Sequence, residues 1–176
     1  MCLILCQCKH NYIYVSQVEP TVVMADSQIA GNIIQILAGL PEFLRKPMLK
    51  SRLNEFFTLP DIEKKETVMN ALNAAPTIDF KVLSNLTKTW MEVLCEFDEE
   101  KRRSMFGAYV DVIAASPSIL SKLNIDGLIS IFDAMPENNK QLLAGSLRNL
   151  IQNLSQDKKA KFLNAVPESA KRILQL

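Results

Sequence analysis

Asp79-Phe80-Lys81-Val82-Leu83-Ser84-Asn85-Leu86-Thr87-Lys88-Thr89-Trp90-Met91-Glu92-Val93-Leu94-Cys95-Glu96-Phe97 reads as one helix with a capped start and an apolar end. An aspartate in front of a helical run caps the free amides of its first turn. Leu83, Leu86, Trp90, Val93, Leu94 and Phe97 then recur at steps of three and four, which places them on one stripe. Nineteen residues suit a helix of about fourteen, roughly 21 Å long, plus a short link.

The same length repeats on both sides of this stretch. Steps of nineteen from Pro41 reach Pro60, Asp79, Asp98, Pro117, Pro136 and Ser155, all residue types favoured at a helix start. The residues just before these starts are Leu40, Leu59, Ile78, Phe97, Ser116, Met135 and Leu154, and only Ser116 is not apolar. An apolar residue there packs across a helix junction. The twelfth place of successive units holds Arg52, Ala71, Trp90, Tyr109, Leu128, Leu147 and Val166, a column that only Arg52 breaks. Met105, Phe106, Tyr109, Val112 and Ile113 form a stripe in the following unit, as do Leu142, Leu143, Leu147, Leu150, Ile151 and Leu154 after Pro136.

A slower rhythm overlies this one. Units starting at Pro60, Asp98, Pro136 and Ser155 open with charge, whereas those at Asp79 and Pro117 open with Phe80, Val82 and Leu83, and with Ile119 and Leu120. Alternating wet and buried helices give hairpins of thirty-eight residues, two units each. The expected fold is all-α, a right-handed α-solenoid-like stack of about seven to eight helices in one domain over 24–176. Pro47 is expected to interrupt the first unit, Asn124-Ile125-Asp126-Gly127 to split the fifth, and Pro167 to break the last.

In length and rhythm the helix pairs over 41–173 resemble HEAT and armadillo α-solenoids, which implies a protein-binding role. Leu154-Ser155-Gln156-Asp157-Lys158-Lys159-Ala160-Lys161-Phe162-Leu163-Asn164-Ala165-Val166-Pro167-Glu168 is similar to the helical units of magnesium-transporter N domains and flagellar motor-switch proteins.

Residues 1–23 mix Cys, Tyr, Val and Gln with no helical period, and read as a disordered or mis-assigned leader. Met24-Ala25-Asp26-Ser27 has the form of a natural start, with Ile29, Ile33, Ile36, Leu37 and Leu40 at helical spacing behind it. Cys2, Cys6, Cys8 and His10 are soft ligands of the kind zinc takes. Four ligands within nine residues leave little chain to wrap a tetrahedron, so no metal and no cofactor is expected. Cysteines crowded at one end form no disulfide framework, and the body reads as cytoplasmic.

The composition narrows the chemistry. Formal net charge is +1, which gives no bulk attraction to nucleic acid or to an anionic membrane. His10 is the sole histidine and lies in the leader, so imidazole catalysis is excluded from the body. Cys95 sits at a helix end beside Glu96, the wrong surroundings for a thiolate. The glycines are isolated, and no phosphate-binding loop occurs. Asp98, Glu99 and Glu100 suit the positive end of a helix dipole. No catalytic residue emerges, and the chain reads as a non-enzyme.

Basic pairs recur with the repeat but mostly stand beside acids. The exception is the C-terminal end, where Lys158, Lys159, Lys161, Lys171 and Arg172 outnumber Asp157 and Glu168. Those five are the candidate polyanion site. No aromatic residue for base stacking interleaves them except Phe162. The expected function is a helical-repeat protein-interaction module with a protein partner. A nucleic-acid or anionic-ligand binder is the alternative, followed by an accessory subunit of an enzyme complex.

Overall fold

The computed structural model describes residues 32–176, and among these the chain is all-helical. Helix α1 runs over 32–39. It is followed by α2 (Glu42–Thr58), α3 (Asp61–Ala74), a 3-10 turn (Ala75–Thr77), α4 (Phe80–Cys95) and α5 (Glu99–Ala115). A second 3-10 segment (Pro117–Lys122) leads to α6 (Ile125–Asp133), α7 (Glu137–Gln152), α8 (Gln156–Ala165) and α9 (Glu168–Leu174).

Six of the seven expected starts stand at the head of an α-helix, while Pro117 opens the 3-10 segment and its unit's α-helix begins only at Ile125. Pro41, Pro60 and Pro136 are the N-caps of α2, α3 and α7, with φ of −55°, −59° and −53° and extended ψ. The proline ring presets that φ and lacks an N–H that would otherwise want a partner. Asp79 accepts from the Lys81 and Val82 amides at 2.9 and 3.3 Å, and Asp98 from the Lys101 amide at 2.8 Å. Ile78, Phe97 and Met135, each just before a start, are buried at the junctions.

Two expectations are corrected here. The described residues hold nine α-helices rather than seven to eight, because Pro167 divides the last unit into α8 and α9. Pro47 does not interrupt the first unit: α2 is continuous from Glu42 to Thr58 with Pro47 inside it. The proline stands near the N-terminus and frees the Phe43 carbonyl, and Phe43 is exposed, so water can satisfy that acceptor. The breaks at Asn124–Gly127 and Pro167 do occur. Asn124 caps α6 by accepting from the Gly127 amide at 3.0 Å. Gly127 is needed there, because a Cβ would collide with the Phe80 ring and stand 2.7 Å from Asn124 Nδ2. The α4 start thus packs directly on α6 backbone.

Helices pack on partners further along the chain. α2 packs on α4, α3 on α5, α4 on α6 and α5 on α7, with further contacts between α4 and α7, α5 and α8, and α6 and α9. Val93 and Leu94, at the end of α4, are completely enclosed.

Two buried arginines reveal a longer correspondence. Arg45, on α2, donates Nε to Thr89 Oγ1 at 2.9 Å and Nη1 to the Ala38 and Leu40 carbonyls at 3.1 and 3.0 Å. Arg102, on α5, donates Nε to Ser146 Oγ at 2.9 Å and Nη1 to the Phe97 carbonyl. Arginine, hydroxyl and carbonyl each recur 57 residues on, three units of nineteen, and both arginine–hydroxyl pairs span 44 residues. The fork of a guanidinium serves several acceptors at once, which is why arginine rather than lysine fits. It seals the end of one helix, whose last carbonyls lack intrahelical partners, and holds a helix two units later. The packing differs where a neighbour is missing. Met105 is buried, but its counterpart Met48 is 47% exposed, since no described helix stands on that side of α2.

Asp111 ties three helices. It lies on α5 and pairs with Lys65 of α3 at 2.8 Å and with Lys158 of α8. Burial pushes its carboxyl up, but hydrogen bonds from Lys158 and Lys65 outweigh this and hold it below the ordinary 3.8. A carboxylate lowered on folding contributes stability above its unfolded pKa and loses it as pH falls through the folded value. The Asp111 bond raises Lys65, a contribution lost only as pH climbs past 10.5. Asp111→Asn is therefore expected to cost about 1 kcal/mol in urea unfolding at pH 7, both lysines being partly exposed. The difference from the parent should shrink below about pH 4.

Candidate binding cleft

A half-open cleft of about 490 Å³ lies among α1 to α6. Its walls follow the repeat. Arg52, Ala71, Trp90, Tyr109 and Leu128, the twelfth residues of five successive units, all line it. So do Thr67, Leu86, Met105 and Asn124, the eighth residues of four of them. Positions eight and twelve are one helical turn apart and share a face. One face of each successive helix is thus turned to a common space.

The lining is apolar apart from a few groups. Thr67 and Thr87 spend their hydroxyls on the Glu63 and Leu83 carbonyls at 2.8 and 3.0 Å. Tyr109 meets Trp90 edge-on with ring centroids 5.7 Å apart. Burial pushes the Tyr109 phenol up to about 12, so it stays a neutral donor. Among the described residues its hydroxyl forms no hydrogen bond, and neither does the Asn124 amide nitrogen or the Lys122 ammonium. Arg52 is paired with Glu55 at 2.7 Å on the exposed side of α2. Among the described residues no Asp or Glu lines the cleft, nor any His or Cys. It offers an apolar body with donors at its edges.

The charge-bearing residues singled out in the sequence lie elsewhere. Lys158, Lys159 and Lys161 are on α8, and Lys171 and Arg172 in the last turn of α9. Lys158 is bound to Asp111, Lys161 to Asp157 at 2.8 Å and Lys171 to Glu168 at 2.6 Å. Lys159 stands 57 residues after Arg102, in the arginine position, and is half-buried. Arg172 is exposed. Cys95 is half-buried away from the cleft, and burial pushes its thiol up. Cys2, Cys6, Cys8 and His10 lie outside the described residues. Among the described residues no cluster of His, Cys, Asp or Glu could hold a metal. No described helix is long and apolar enough to cross a membrane.

Reading residue types did not find Tyr109, Lys122 or Asn124 as site residues. Their signal was the repeat column itself, which reads equally as core and as groove until the helices are placed. No protein-family model, no curated protein and no solved structure matches the chain.

Proposed function

We propose that the chain is a non-catalytic protein-interaction module, its nineteen-residue units stacked as an α-solenoid, which receives a helix of a partner protein in the cleft. The observation that carries this reading is the lining of one space by the same position of five successive units. A surface made this way is elongated and continuous, the form that repeat proteins offer to partners. An amphipathic helix presents a complementary stripe, laying its apolar face into such a groove. Among the described residues the cleft lining also includes no Asp, Glu, His or Cys, the side chains that most often serve as base or nucleophile.

Trp90, the only tryptophan, lies in the wall and reports on occupancy. A synthetic amphipathic peptide with leucines spaced for one helix face should change Trp90 emission saturably. Ala71→Phe, which fills the cleft from α3, should weaken that binding by about tenfold or more while circular dichroism stays helical. A folded Ala71→Phe protein that binds as the parent does would remove the cleft from this role.

A further inference from the structure

We infer that the occupant of the cleft is an acidic amphipathic helix, one that sets a carboxylate against Lys122 beside its apolar face. This rests on the reading of the cleft as a helix-receiving groove. The chain as a whole is nearly balanced, with 20 basic and 19 acidic residues, yet among the described residues the cleft carries Arg52 and Lys122 and no acid. Arg52 already has Glu55, while Lys122 has no ion pair among the described residues. Next to it in the lining stands Asn124, whose side-chain oxygen is taken by the Gly127 amide. What remains of that side chain is its NH₂, a donor. Tyr109 adds a hydroxyl held in its protonated, donating form.

The cleft therefore presents ammonium, amide N–H and phenol O–H groups that have no acceptor among the described residues. A ligand that leaves them unpaired on docking carries their desolvation cost, and a carboxylate relieves it most fully, because hydrogen bonds to an ionised acceptor are the stronger ones. An acyl chain with a carboxylate head shares this chemistry. The walls favour the helix, since they come from five successive units and leave the cleft half-open, whereas an acyl chain gains most from an enclosed tunnel.

The experiment titrates Trp90 emission with two leucine-faced peptides that differ only by Glu or Gln in the last turn, and separately with palmitate. The Glu peptide should bind about threefold to fivefold more tightly at low salt, with the gap closing as salt rises. Lys122→Gln should erase that gap, and Lys122→Glu should reverse it. Lys122 is exposed, so both variants should fold like the parent. Equal binding of the two peptides, or a gap that survives Lys122→Gln, overturns the acidic-helix assignment while leaving the groove reading intact. Silence from both peptides overturns the groove reading itself. Saturation by palmitate without any response to the peptides overturns both in favour of a small-molecule site.

Discussion

Arg102→Ala should lower the free energy of unfolding by about 3 kcal/mol. In a domain of this size that is a fall in Tm of roughly 6–12 °C. The side chain is only 8% exposed and serves three elements. Its Nε bonds Ser146 on α7, its Nη1 the Phe97 carbonyl at the end of α4, and its Nη2 Glu99 Oε2 at 3.0 Å. Ser146 in turn donates to Glu99 at 2.6 Å. Glu99 Oε1 is buried with no partner among the described residues, so that carboxylate already depends on what its other oxygen receives. Truncation leaves a buried carbonyl and a half-buried carboxylate short of donors, and opens a gap between α5 and α7. Arg102→Lys should recover less than half of the loss, since an ammonium cannot span the same acceptors. A double-mutant cycle with Ser146→Ala should give a coupling of about 1–2 kcal/mol. A loss below about 1 kcal/mol for Arg102→Ala would refute this account.

Leu94→Ala is expected to cost slightly more, about 3–4 kcal/mol in the same unfolding measurement. Leu94 is fully enclosed in the last turn of α4, and α4 packs on α2, α6 and α7. Closing the space left by three carbons would require moving helices that the arginine clamps hold in place, so most of the cavity should persist. Ile151, 57 residues on at the matching place in α7, is buried too. Ile151→Val removes a single methylene and should cost only about 1 kcal/mol. Similar losses for the two changes would show that the site collapses and that Leu94 is not the rigid point proposed.

Much of the helical plan was legible because helix starts are local chemistry. Pro41, Pro60 and Pro136 preset their own backbone angle, Asp79 and Asp98 accept from the amides just after them, and each is an N-cap in the structure. The split at Asn124 and the break at Pro167 were readable for the same reason. Pro47 was misread because a proline's cost depends on whether the freed carbonyl can reach water, which the sequence does not state. The polar clamps were hidden more deeply. Nothing near Arg45 or Arg102 in the chain marks them as buried, for their hydroxyl partners lie 44 residues away.

By itself, then, the order of residues determined where most of the helices begin, which stripe of each is apolar, and the nineteen-residue beat that aligns those stripes. Only the tertiary structure decided which parts of the stripes close into core and which stand apart as a cleft. An apolar side chain has no direction of preference beyond leaving water, so Leu94 and Trp90 carry the same signal in one helix. What separates them is how far neighbouring helices approach, and that distance is set jointly by contacts spread over the whole chain.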